Sequence, residues 1–235
     1  MTRRRLHGPD ELLAALDSGA SVPLVLVRTD CDDERVRSAV EVARAAGARV
    51  RESSGAVLRR FSPGAPESVL ALCGAAPHAD LSEMLRRPGP VWLLSGVAYP
   101  GNAGFAIRTA EVSGAAGIVL DAPFEGAGRR AARRAAMRAD WLFPVLWEET
   151  AVVLKAARAA GRRVVALEDA GGEAPWIADL DGPLLLVVGA EGDGLPSAVL
   201  DAADARVCVP MTGFIPSYNV QAAVSALAVE LLRRG

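Results

Sequence analysis

Histidine and lysine are almost missing from this chain of 235 residues: His7 and His78 are the only histidines, and Lys155 is the only lysine. Both histidines fall near expected segment ends, which leaves little basis for a histidine-based triad or a zinc site. Cysteine is equally sparse. Cys31, Cys73 and Cys208 are too widely spaced for a disulfide framework or a metal knuckle, so no metal is expected. No apolar run approaches the ~20 residues that a spanning helix needs. The amino end, Met1-Thr2-Arg3-Arg4-Arg5, lacks the apolar core of a signal peptide, so the expectation is a cytoplasmic protein without a membrane partner. Excess positive charge is also absent. A formal charge of −2 excludes a surface coated with basic groups, and a nucleic-acid partner would have to rely on a local stripe. The cations present are nearly all arginine, the better fork for phosphate.

What remains is 51% hydrophobic and 23% charged, the balance of a soluble globular chain with length enough for one large domain or two small ones. Helices and strands are expected to alternate from the start, as in a small three-layer sandwich over residues 1–76. Asp10 is placed to cap a helix over 11–17, and Pro23-Leu24-Val25-Leu26-Val27 reads as a buried strand. Asp32 or Asp33 should cap a helix carrying Val36, Val40 and Ala43. Further strands are expected at 48–50 and 68–72, with Ser54 capping a short helix between them. Residues 77–89, with Pro77, Pro88 and Gly89, read as a linker.

From residue 90 the alternation resumes. Strands are expected at 91–94, 117–120, 163–167, 184–188 and 207–209, and helices at 105–113 and 150–160. A last helix carries Val220, Ala223, Val224, Leu227, Ala228 and Leu231 at three- and four-residue steps, with Ser217 as its cap. Two of these strands run into loops rich in Gly and Pro: Gly189-Ala190-Glu191-Gly192-Asp193-Gly194 and the segment 210–219. Such loops at the carboxyl ends of strands suit a ligand held by main-chain groups, and equally suit ordinary turns that need φ > 0. The first loop is not a dinucleotide fingerprint, since its helix starts late and no acidic residue follows on a strand about twenty residues on.

Three groups of side chains invite a functional reading. Asn102 is expected in a turn before a helix, with Arg108 inside that helix, where its guanidinium either pairs with Glu111 or faces a phosphate. Arg129, Arg130, Arg133, Arg134 and Arg138 either track a nucleic-acid backbone or form a solvated helix face. Ser217 and Asn219 serve a site or merely cap the last helix.

Taken together, three segments resemble the signature motifs of the SpoU/TrmH branch of the SPOUT methyltransferases. They are 100–110 (Pro-Gly-Asn-Ala-Gly-Phe-Ala-Ile-Arg-Thr-Ala), 186–195 (Leu-Val-Val-Gly-Ala-Glu-Gly-Asp-Gly-Leu) and 209–223 (Val-Pro-Met-Thr-Gly-Phe-Ile-Pro-Ser-Tyr-Asn-Val-Gln-Ala-Ala). The resemblance implies an α/β fold: a SPOUT domain over 90–235, with a deep trefoil knot around a mostly parallel sheet. Residues 1–76 more loosely resemble the small L30e-like α/β/α RNA-binding domain that precedes it in ribosomal RNA ribose methyltransferases. The implied activity is transfer of a methyl group from S-adenosylmethionine to a ribose 2′-hydroxyl, of ribosomal RNA first and transfer RNA second, by a homodimer and without a metal. The alternatives are a small-molecule or peptide methyltransferase and a non-catalytic RNA-binding paralogue. By the same resemblance Leu186, Gly189, Glu191, Gly192, Val209, Met211, Tyr218 and Asn219 would hold the donor. Arg108, Asn102, Ser217 and Asn219 would serve catalysis. Tyr218 stands where the family usually has leucine, and Ala135-Ala136 where a serine is common.

Overall fold

The computed structural model describes residues 3–64, 68–192, 194–215 and 217–234; Asp193 and Pro216 of the motif loops lie outside these. The chain divides into two units, 1–77 and 78–235.

The first unit contains β1 (Arg4–His7), α1 (Gly8–Asp17), β2 (Leu24–Arg28), α2 (Glu34–Ala45), β3 (Arg49–Ser53), α3 (Gly55–Phe61) and β4 (Val69–Cys73). Its sheet runs β1-β4-β2-β3, with β2 and β3 parallel and the other pairs antiparallel. Leu12 and Ala15 of α1 pack with Val36, Ala39 and Ala43 of α2 over Val25 and Val69 of the sheet. Asp33 caps α2, accepting from the Arg35 amide at 2.9 Å. Asp10 does not cap α1, which starts two residues before it with a proline in its first turn. Strand β1 was not expected: only Leu6 of its four residues is buried, and arginines open the stretch.

The second unit opens with α4 (Leu81–Arg86), so the stretch expected as a linker is largely helical. Met84 and Leu85 are buried, and Asp80 caps the helix through the Glu83 amide at 2.7 Å. There follow β5 (Val91–Ser95), α5 (Pro100–Val112), β6 (Gly117–Asp121), α6 (Gly126–Ala135), a 3-10 turn (Ala139–Trp141), β7 (Val145–Trp147), α7 (Thr150–Ala159) and β8 (Arg163–Glu168). The chain ends with β9 (Leu184–Val188), α8 (Ser197–Ala202), β10 (Ala205–Cys208) and α9 (Val220–Arg234). The sheet order is β10-β8-β9-β5-β6-β7, and each pairing is parallel. That explains the uninterrupted apolar runs. Strands β5 and β9 are buried along their whole length because helices cover both faces. Residues of α5, α6 and α9 make the core on one face, and residues of α4, α7 and α8 make it on the other.

Helix α5 begins at Pro100, five residues earlier than its apolar spacing indicates. Proline at the first helical position gives up an amide that would go unpaired anyway, so Pro-Gly-Asn starts a helix here instead of making a turn. Gly104 then lets α5 and α6 touch. A Cβ built there would lie 2.4 Å from the Ala132 carbonyl oxygen and 2.5 Å from the Ala135 Cβ. Both obstacles belong to a neighbouring helix and cannot swing aside, and Ala135-Ala136 keep that helix small at the contact. Gly104→Ala is expected to destabilise the second unit by about 1–3 kcal/mol, measured as a lower denaturant midpoint at unchanged slope.

Candidate active site

The carboxyl ends of β8, β9 and β10 open on one cleft, lined by the chain at 167–169 and 188–192, by Gly194 and Val209, and by 217–220 and Ala223. Its floor is the loop after β9, a tight reversal in which Ala190 and Gly194 pair and the Gly194 amide donates to the Ala190 carbonyl at 3.2 Å. Gly189 is required by this closure, because a Cβ there would stand 2.4 Å from the Gly194 carbonyl carbon and 2.7 Å from the Leu195 amide nitrogen. The dense glycine of this stretch therefore serves loop closure. It also brings bare backbone to the cleft wall.

At the mouth, three segments far apart in sequence are joined by side chains. Asn102, in the first turn of α5, donates through Nδ2 to Oε1 of Glu191. Its Oδ1 accepts from Nδ2 of Asn219 at 3.3 Å. Asn219 in turn caps α9, accepting from the Gln221 amide at 2.9 Å. The cap is thus Asn219, in place of the expected Ser217, which lines the cleft. Glu191 Oε2 is buried without a hydrogen-bond partner, although it belongs to a residue of the cleft wall. Tyr218 closes the third segment on itself, its hydroxyl donating to the Pro210 carbonyl at 3.2 Å.

Of the residues singled out for the donor, Gly189, Glu191, Gly192, Val209, Tyr218 and Asn219 line the cleft. Leu186 does not. It is fully buried in mid-strand, paired with Trp92 and Val165 on either side. Met211 is half-buried in the third segment, away from the lining. Arg108 is exposed and also outside the cleft; its Nη1 meets the Met137 sulfur at 2.8 Å. Six residues along a helix carry a side chain about 120° away from Asn102, which is why the two part company.

The arginine cluster is divided. Arg129 to Arg134 ride on α6, but that helix stops at Ala135, and Met137 and Arg138 turn into the left-handed region with φ of 53° and 67°. Arg129 stacks over the Trp147 ring at 4.5 Å, Arg138 stacks over Trp141 at 5.1 Å, and Arg133 lies 3.7 Å from Asp140. Arg130 and Arg134 are exposed.

Two acidic residues of the cleft, Glu168 and Asp169, were not singled out in the sequence. The available signal was their place, directly after the apolar run of β8. Glu168 Oε1 accepts the Leu195 amide at 3.0 Å, which ties β8 to the far end of the glycine loop. Burial is the main reason its carboxyl is shifted above the usual range, helped by the neighbouring Asp169 charge and opposed by the Leu195 amide and Arg206. Burial raises Asp169 as well. Among the described residues no group of His, Cys, Asp and Glu could hold a metal ion, and no helix is long and apolar enough to cross a membrane.

The SpoU rRNA Methylase family model matches residues 90–229, the stretch that carries the parallel sheet and all three segments of the site. The chain belongs to this family. It is an RNA methyltransferase. Among its relatives is a 23S rRNA (guanosine-2′-O-)-methyltransferase RlmB of a Burkholderia species, 30% identical over 97% of this chain and 96% of that one. The protein of the same name from Ralstonia nicotianae is 28% identical over 86% and 84%. A solved structure of an AdoMet-bound rRNA methyltransferase from Sinorhizobium meliloti superposes with a TM-score of 0.62, at 26% identity, over 99% of this chain and 87% of that one.

Proposed function

We propose that this methyltransferase transfers a methyl group from S-adenosylmethionine to a ribose 2′-hydroxyl of ribosomal RNA, with a guanosine of the 23S species as the first candidate. The observation that carries this reading is the side-chain relay Glu191–Asn102–Asn219, which locks the three motif segments together at the mouth of a backbone-walled cleft. The cleft suits the donor. Main-chain groups of Gly189–Gly192 and Gly194, which line it, can hold an adenine edge. When bound, the donor supplies an electrophilic methyl on a sulfonium. The protein supplies alignment, since in-line transfer depends chiefly on placing the nucleophile. Asn102, Ser217 and Asn219 fix the loops and orient the ribose. Arg108 contributes positive charge beside the target phosphate and the developing alkoxide.

Arg108 lies outside the cleft of its own chain, which points to a homodimer. On α5 it sits between Phe105 and Val112 at three- and four-residue steps, in a stripe whose apolar members are 47% and 68% exposed. Helix α9, joined to α5 through Thr109 and Ser225, exposes Val229 and Leu232. Two copies meeting on α5 and α9 would cover these side chains and deliver Arg108 to the partner's cleft. Residues 1–76 grip RNA as an L30e-like domain, and Arg130 and Arg134 add contacts from α6. The SPOUT domain is knotted by passage of α9 past the loop at Gly189, and the enzyme works in the cytoplasm.

The test is transfer of labelled methyl from S-adenosylmethionine to ribosomal and transfer RNA taken from a strain lacking the gene, followed by nuclease digestion. A labelled 2′-O-methylguanosine from 23S RNA is the expected result. Label in transfer RNA alone would move the substrate assignment. No incorporation despite donor binding would favour a small-molecule or peptide acceptor, and no donor binding a non-catalytic paralogue.

A further inference from the structure

The charge of the cleft wall is one-sided. Glu168, Asp169 and Glu191 all line it, and no arginine, lysine or histidine does so among the described residues. The cation that Glu168 feels, Arg206, is exposed on β10 outside the lining. Glu168 is held firmly: one oxygen accepts the Leu195 amide at 3.0 Å, and the other stands 3.3 Å from where a Gly194 Cβ would be. Its negative charge is therefore fixed at the cleft and partly withdrawn from water, where a charge acts more strongly on a ligand than it would at the surface.

The reaction changes the ligand's charge by one unit. The sulfonium–methyl bond breaks, its electron pair stays on sulfur, a ribose oxygen–methyl bond forms, and the hydroxyl proton passes to water. A cationic sulfonium becomes a neutral thioether. We propose that Glu168 and Asp169 make the cleft selective for charge, so that it holds the sulfonium donor in preference to the thioether product and favours product release after each transfer. This rests on the reading of the cleft as the donor site. It gives Glu168 two separable tasks: its position depends on the Leu195 amide, and its selectivity depends on its charge.

Glu168→Gln separates the two, because the amide oxygen of glutamine still accepts from Leu195 while the charge is gone. Calorimetry would compare S-adenosylmethionine, S-adenosylhomocysteine and sinefungin, whose extra amine restores the positive charge near the sulfur position. In the wild type the two charged ligands should bind about tenfold more tightly than the product. Glu168→Gln and Asp169→Asn should each weaken the charged ligands about fivefold and leave the product within about twofold. Glu168→Ala should weaken all three, through loss of the loop contact. Equal affinity of the wild type for all three ligands would overturn the proposal, as would equal losses in Glu168→Gln or no loss at all. Ala223→Phe, which fills the cleft, is the control for the site. If it folds and still binds all three ligands, the cleft reading fails instead of the charge argument.

Discussion

Replacing Arg108 by alanine is expected to lower methyl transfer by about 10²–10³-fold, the scale for losing one preorganised charge or donor at a developing oxyanion. Donor affinity should stay within about twofold, because the charge is assigned to the target phosphate and the developing alkoxide and not to the donor. A guanidinium keeps its protons and is a poor proton acceptor, so its contribution is to hold phosphate and stabilise negative charge. Arg108→Lys should then recover only part of the rate, since a point charge replaces a planar fork. The dimer can be tested with the same variant. If Arg108 acts in the partner's cleft, mixing inactive Arg108→Ala with inactive Asn219→Ala and allowing subunits to exchange restores one intact site per mixed dimer, about a quarter of wild-type activity in a statistical mixture. If Arg108 acted within its own chain, every site in the mixture would lack one residue and none of the activity would return.

The second large effect is structural. Arg162, just before β8, is 3% exposed and has no carboxylate partner among the described residues. Its guanidinium instead donates to four backbone carbonyls: Leu85 at 2.8 Å, Arg87 at 2.6 Å, and Gly89 and Leu184 at 2.9 Å each. Two of these lie at the end of α4, where the last carbonyls of a helix have no partner within it. One side chain thus closes the turn after α4 and fastens it to the start of β9. Burial pulls its pKa down, yet arginine stays charged in proteins and all four bonds remain charge-assisted. Arg162→Ala leaves the carbonyls buried and unpaired, at a cost of roughly 3–5 kcal/mol. The thermal transition of the unit 78–235 should fall by about 10 °C or more. Arg162→Lys should recover little, because an ammonium has three donors on one nitrogen and cannot reach four separate acceptors. An unchanged melting temperature in both variants would show that water or a backbone shift replaces the clamp.

The sequence by itself determined the buried strands and the loops that follow them. A strand covered on both faces has to be apolar throughout, and the runs at 91–94 and 184–188 could be read directly for that reason. It also singled out Asn102, Glu191 and Asn219, residues that the folded chain joins by hydrogen bonds across 89 and 117 positions. The start of α5 was not legible, because Pro-Gly-Asn is turn chemistry until a helix has somewhere to dock, and Gly104 reveals that dock only when Ala132 stands opposite. Glu168 and Asp169 were missed because their importance depends on β8 lying beside β9, a neighbour relation between segments that no local pattern records. Arg162 was missed for the same reason, since its partners lie 22 to 77 positions away. Local sequence sets which way a segment prefers to fold. Only tertiary packing decides which backbone groups are left buried, and therefore which charged side chain must meet them.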